Sequence, residues 1–481
     1  MIAKPDRVFD RVFEWRQLAG FAGRPADRAR LGVVSGRRRQ GKTFLLEALA
    51  RQTGGFYFGA TQATEAESLR LFGDGWGTYL AAAVPPRFAD WDEAIRFLFR
   101  AAASHRGPVV IDEFPYLSKA SPALPSIIQR EVDRAASHGG GPALLLCGSA
   151  MSVMGSLLAG SAPLRGRASL ELMVRPFEAP LAARFWGIGD PALAVLHHAV
   201  VGGTPAYRRF VNDDSPRSSG EFDDWLLRTV LNPATPLFRE ARYLLEEEAE
   251  VRDTALYHSI LAAVASGNAT RGGIANYIGR KATDIGHPLN VLEDCGLLRR
   301  ESDVFRAGRS TYRVAEPLVT FYQVVMRPRW GLLESGRAEV VWRDAKSRFL
   351  AQVVRPHFEQ MCRDFAAVAP PETFGGLPGE VGAGVVADPS RRSQIEVDIA
   401  VLAPVEPGEP RRILSLGEVK WGDVLGMRDV ERLRRARDLL TQRGYDTRDT
   451  VLACYSGVGF EPALDAAPGV LTVQPAQLYS R

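Results

Sequence analysis

Very little in this chain speaks for a membrane or an oxidising compartment. No apolar run approaches the length needed to span a bilayer. The first residues, MIAKPDRVFDRVFEWRQL, are charged throughout and lack the apolar core of a signal peptide. The cysteines are only four, Cys147, Cys295, Cys362 and Cys454, and no pair has zinc-ligand or redox-motif spacing, so reduced, buried thiols are expected. The seven histidines form no metal-ligand set, and neither Ser-His-Asp nor Cys-His chemistry nor a Rossmann glycine fingerprint is suggested. Net charge is only +4, so local clustering must decide about acidic partners. A soluble, cytoplasmic protein with no membrane partner is the expectation.

What is present is ordinary globular material, 46% hydrophobic and 24% charged, in a chain of 481 residues that is too long for one core. Two stretches read as linkers, NDDSPRSSGE (212–221) and LAPVEPGEP (402–410), both rich in turn-forming residues.

The segment RLGVVSGRRRQGKTFLLEAL (30–49) reads as an apolar strand, a loop and an apolar-periodic helix, and its loop fits G-x-x-x-x-G-K-[ST]. Gly36 and Gly41 permit the turn that aims backbone amides, Gln40 among the loop residues, at phosphate oxygens. Lys42 can reach the β- and γ-phosphates of ATP, and Thr43 can hold Mg²⁺. GPVVIDEFPYL (107–117) is a buried strand ending in two acids: Asp112 would hold Mg²⁺ and Glu113 would polarise the attacking water. A third strand, ALLLCGSAMSVM (143–154), ends at Ser149, either a γ-phosphate sensor or an ordinary strand-to-helix cap. Strands alternating with helices predict an α/β fold with a doubly wound parallel sheet and its ligand site at the strand C-terminal ends.

Together, GRRRQGKT, VVIDE, GSAMSVM followed by PLRGRASLELMVRPFE, and GGTPAYRRF (202–210) resemble the archaeal-type ATPases, an AAA-like, STAND-related group of P-loop proteins. The resemblance implies that Pro205 packs near the adenine and that Arg167, less directly Arg165, senses or stabilises phosphate. An arginine acting in trans would require a homo-oligomer. From the residues alone, Arg167 and the loop arginines Arg37, Arg38 and Arg39 read equally as solvated side chains.

From about 178 to 250 the pattern is helical, fitting a lid after an ATPase core, with the acidic run Glu246–Glu248 as a solvated face. Three short helices follow in YHSILAAVASG, RGGIANYIGRK and PLNVLEDCG, then two strands in GLLRRESDVFRAGRSTYRVAEP (296–317), the order of a winged helix. Arg271, Arg280, Lys281, Arg299, Arg300, Arg306 and Arg309 supply positive charge for double-stranded DNA. His287-Pro288 falls where the recognition helix should be, so that helix must start late or kink, and packing against the lid is the competing reading.

In the last third, RFLAQVVRPHFEQMCRDFAAV (348–368) is a helix carrying Glu359. SQIEVDIAVLAP (393–404) and RRILSLGEVKWG (411–422) are strands, so Glu396 and Asp398 share one face, as do Glu418 and Lys420. Glu359, Asp398 and Glu418 offer Mg²⁺ hard oxygen ligands, and Lys420 could orient or deprotonate a water. This order resembles the restriction-endonuclease-like PD-(D/E)xK core, with Val397 where that pattern has proline. The helix MRDVERLRRARDLLTQRGYD (427–446) carries Arg428, Arg432, Arg434, Arg435, Arg437 and Arg443, which either grip a phosphate backbone or are simply solvated.

The expected organisation is therefore an ATPase core at 1–177, a helical lid at 178–250, a winged helix at 251–330 and a nuclease-like α/β domain at 340–481. The expected function is Mg²⁺-dependent ATP hydrolysis coupled to DNA binding or cleavage. The alternative is a nucleotide-gated switch or scaffold whose nuclease fold is inactive.

Overall fold

The computed structural model describes residues 2–24, 28–103, 107–246 and 253–480. It divides into two units, 1–176 and 177–481 apart from a few residues near 248. No helix among the described residues is long and apolar enough to cross a membrane.

The first unit is built on five parallel strands, β1 (Arg28–Ser35), β2 (Phe56–Gly59), β3 (Val109–Asp112), β4 (Gly140–Gly148) and β5 (Ala168–Met173), in the order β2-β3-β4-β1-β5. β3 and β4 are buried almost throughout, as strands covered on both faces must be. One face packs on Phe72, Trp76, Trp91 and Leu98; the other packs on Trp15, Leu18, Leu45 and Leu49. β1, β3 and β4 are adjacent, so their C-terminal ends lie side by side.

The second unit begins with helices Ala179–Trp186, Pro191–Val201, Ala206–Phe210, Phe222–Arg228 and Pro236–Glu246. The side chains of the acidic run 246–248 lie outside the described residues. In GGTP, a Cβ on Gly203 would stand 1.8 Å from the Phe177 carbonyl oxygen, and Phe177 N–H donates to Gly203 O at 2.8 Å. Close backbone packing thus accounts for that glycine.

Helices Thr254–Ala265, Arg271–Tyr277 and Gly286–Asp294 precede the hairpin β6 (Leu298–Ser302) and β7 (Ser310–Val314). The third helix starts at Gly286, which leaves Pro288 in its first turn, where a missing N–H costs no helix bond. Pro356 is accommodated similarly: a π-type turn, Leu350–Val354, precedes helix Arg355–Ala367 and takes up the bonding that proline interrupts.

The C-terminal sheet is mixed. β8 (Glu380–Asp388), β9 (Ser393–Leu402) and β10 (Ile413–Lys420) run antiparallel, then β11 (Val451–Ser456) and β12 (Val470–Val473) add in parallel, in the order β12-β11-β10-β9-β8. The alternation read along β9 breaks midway. Gly382 pairs with Ala400 but Gly384 pairs with Val397, so Asp398 and Ile399 together oppose Ala383. This bulge reverses the faces. Ile395 and Val397 pack with Leu433, whereas Ile399 and Val401 pack with Val419 and Tyr455.

Candidate nucleotide and metal sites

The phosphate loop follows β1 in a conformation that its sequence dictates. Gly36 has φ 144°, and a Cβ there would stand 2.3 Å from the Val174 carbonyl oxygen; Gly41, at φ 88°, opens helix Lys42–Thr53. The Lys42 side chain turns back into the loop and donates to Gly36 O at 2.6 Å and Arg37 O at 2.9 Å. It is 5% exposed, and burial pushes its pKa down against the opposing pull of Cys147, Glu113 and Asp112. Gln40 is buried, and its carbonyl accepts from Arg11 Nη2 at 3.0 Å. A buried ammonium held by two main-chain carbonyls, beside a helix N-terminus, is a fitting receptor for phosphate oxygens.

β3 delivers the two acids to this loop. Thr43 Oγ1 donates to Asp112 Oδ2 at 2.7 Å, and Glu113 N–H donates to Asp112 Oδ1 at 2.9 Å. Thr43 and Asp112 therefore already stand side by side as Mg²⁺ ligands would. Glu113 has φ 52°, an uncommon conformation outside glycine, and its carboxylate accepts from Ser149 Oγ, at the end of β4, at 3.2 Å to each oxygen. Gly36, Gln40, Gly41, Lys42, Thr43, Asp112, Glu113 and Ser149 thus share one edge of the sheet.

Arg167, which the resemblance implies senses or stabilises phosphate, does not share that edge in its own chain. It immediately precedes β5, whose first residue, Ala168, pairs with Leu31, while Met173 pairs with Ser35 beside the phosphate loop. Five parallel residues set Arg167 about 16 Å along the strands from that loop. Its guanidinium is bidentate on Asp133, at 2.7 and 2.8 Å. Arg165 donates to Gly160 O at 2.6 Å. The Gly-Arg spacing announces an arginine but not the end of the sheet it occupies. Pro205 lies in the second unit, directly before helix Ala206–Phe210 and beside buried Thr204.

The structure brings the C-terminal carboxylates near one another without gathering them. Asp398, at the bulge, accepts from Val419 N–H at 2.9 Å on Oδ2. Glu418, on the face covered by helix Met427–Gln442, is paired with Arg432; Lys420, two residues on, donates to Asp429 Oδ1 at 2.8 Å. Glu359 approaches from the helix on the opposite face and pairs with Arg355 at 3.3 Å. Burial first, then the charge of Asp398, raises both Glu359 and Glu418 to a pKa of about 7, and burial raises Asp398 as well. Among the described residues no group of three or more His, Cys, Asp or Glu is placed to hold a metal ion. Glu359 and Glu418 lie on opposite faces of the sheet, and the chain's own basic residues supply their counter-charges.

Raised carboxyls have a thermodynamic signature. Between pH 4.5 and about 7 the folded chain retains protons that the unfolded chain has released, so this source of stability is present at acid pH and is lost as pH rises. The buried imidazoles His198 and His357, hydrogen-bonded at 2.8 Å, are depressed and act in the opposite direction. Comparison with a variant cancels them. Glu359→Gln is expected to gain roughly 2 kcal/mol on the wild type between pH 5 and pH 8, measured by urea unfolding at both pH values.

The basic surfaces are partly spent within the molecule. Arg435 is bidentate on Asp388 at 2.9 Å, Arg434 pairs with Glu431, and Arg437 with Asp438 at 3.3 Å. In the hairpin, the β6–β7 turn packs on β8: Val304 N–H donates to Ala383 O at 3.1 Å, and Val304 and Phe305 lie against Gly382 and Gly384. The hairpin tip is therefore occupied by the C-terminal sheet. Helix Gly286–Asp294 exposes His287, Asn290 and Asp294, a face without arginine or lysine. Arg299, Arg300, Arg309, Arg280 and Lys281 remain exposed.

No protein-family model matches the chain. An uncharacterized protein of Methanocaldococcus jannaschii is 28% identical over 309 residues, which cover 63% of this chain and 66% of that protein, a little under two thirds of its length. Among solved structures, a Walker-type ATPase of Pyrococcus abyssi is similar with a TM-score of 0.51 at 20% identity, covering 66% of this chain and 97% of that one. The parallel sheet has a P-loop ATPase fold. The ORC2 protein of Aeropyrum pernix aligns at a TM-score of 0.42 and 15% identity, over 71% of this chain and 99% of that one.

Proposed function

We propose that this protein binds ATP with Mg²⁺ and hydrolyses it, and that the second unit carries the result of that cycle to double-stranded DNA. The observation that carries the first part is the single constellation of Lys42, Thr43, Asp112, Glu113 and Ser149 on one sheet edge. Lys42 and the loop amides would bind the phosphates, and Thr43 with Asp112 would hold Mg²⁺, which neutralises charge between the phosphates when bound. Glu113 would orient and polarise water, held in direction by Ser149. A second copy of the chain is the natural source of any arginine acting in trans.

We read residues 178–250 as a lid, 251–330 as a winged helix and 340–481 as a nuclease-like domain. The exposed arginines of β6 support contact with a phosphate backbone. The pairing of Glu418 with Arg432 and of Lys420 with Asp429 favours a second reading of the C-terminal domain, as the non-cleaving output of a nucleotide-gated switch.

One set of assays on the full chain separates these readings: ATP binding and hydrolysis, nicking of supercoiled DNA with Mg²⁺ or Mn²⁺, and DNA affinity against salt. Cleavage that disappears in Asp398→Ala identifies a working nuclease. Hydrolysis with salt-dependent DNA binding but no cleavage identifies the switch. Failure to bind ATP refutes both.

A further inference from the structure

We infer that Tyr57 is a positioning residue for the Mg²⁺ site, fixing the carboxylate of Asp112 at the same oxygen that accepts from Thr43. The inference rests on the ATPase reading and adds to it a residue that no motif contains. Tyr57 lies in β2, two residues before Gly59, which pairs with Asp112 on β3. Tyr57 and Gly59 therefore share a face, and Gly59 offers no side chain to compete. A Cβ on Gly59 would stand 3.7 Å from both Cε1 and the hydroxyl of Tyr57, so the ring passes beside that glycine on its way to β3. The hydroxyl donates to Asp112 Oδ2 at 2.8 Å, the same oxygen that accepts from Thr43 Oγ1 at 2.7 Å.

Asp112 is only 2% exposed, and its other oxygen accepts from Glu113 N–H at 2.9 Å. Three donors therefore fix the plane of this carboxylate. Two of them belong to residues already in the site, Thr43 and Glu113. Tyr57 supplies the third and has no other place in the proposed chemistry. Its ring packs against the apolar layer under helix Lys42–Thr53, which ties its position to the sheet rather than to the phosphate loop. A carboxylate anchored in this way keeps its orientation toward the cation without having to reorganise.

The test is Tyr57→Phe in the full chain, which keeps the ring and removes only the donor. Mg²⁺ is titrated at saturating ATP, and ATP affinity is measured separately in EDTA. The Mg²⁺ concentration for half-maximal hydrolysis should rise about tenfold, the lower end of what outer-sphere partners of a metal contribute. ATP affinity in EDTA should stay unchanged. An unaltered Mg²⁺ dependence overturns the inference, as does a loss of ATP affinity in EDTA by the same factor, which would mark Tyr57 as a packing residue. If the wild type itself shows no Mg²⁺-dependent hydrolysis, the ATPase reading has failed and this inference with it. A wild type that hydrolyses normally beside an unaffected variant refutes the positioning role alone.

Discussion

Replacing Lys42 with alanine is expected to weaken ATP binding about 100-fold, as charge-assisted hydrogen bonds to phosphate imply. The ammonium is 5% exposed and is held by the carbonyls of Gly36 and Arg37, partners that orient it without neutralising it. A phosphate entering the loop would supply the counter-charge and offset the cost of burial that depresses the lysine. The variant should therefore lose affinity without losing stability, because it also removes a buried charge. Lys42→Met, which keeps the aliphatic stem, should behave alike and controls for loosening of the loop. Fluorescence titration of ATP, alongside thermal melting, measures both quantities. Wild-type affinity in either variant would remove the basis of the ATPase reading.

The phosphate loop was legible in the sequence because its constraints are local. Gly36 and Gly41 must take positive φ, Lys42 and Thr43 must follow at once, and an apolar strand and helix must flank them. Asp112 and Ser149 were legible for a related reason: a parallel sheet places strand C-terminal ends together, so any polar residue there is a candidate. Arg167 shows where this logic stops. It lies near a recognisable Gly-Arg pattern but precedes its strand rather than following it, and register alone sends it to the other edge. Tyr57 was invisible because it stands inside a four-residue strand and acts across to a neighbour 55 residues away in sequence.

The C-terminal residues are a different case. Periodicity correctly placed Glu418 and Lys420 on one face of β10, yet it could not foresee the bulge at Asp398, because one extra residue reverses every face beyond it. Nor could a count of arginines reveal that Arg432, Arg434, Arg435 and Arg437 each have a carboxylate partner in the fold. Charge read along a helix gives the supply of cations. Only the packing gives what is left over for DNA.

Glu113→Gln should leave ATP affinity intact and slow hydrolysis by roughly 100- to 1,000-fold, the scale of losing a general base. Glutamine keeps the size and the bond to Ser149 but cannot accept a proton. The backbone supports this assignment. Glu113 holds φ 52° directly before helix Phe114–Ala120, a conformation that costs roughly 1–3 kcal/mol for a non-glycine residue. That twist sets Glu113 beside Ser149 at the end of β4, where the Ser149 hydroxyl is shared between its two oxygens. A residue whose only task was to end a strand could relax by becoming glycine. Glu113→Gly should accordingly fold at least as stably and hydrolyse no faster than Glu113→Gln, whereas a purely structural role would let it hydrolyse like the wild type. Single-turnover hydrolysis with pre-bound ATP, started by adding Mg²⁺, isolates the chemical step from binding. Wild-type rates in both variants would assign water activation to another residue while leaving the Lys42 and Asp112 roles standing.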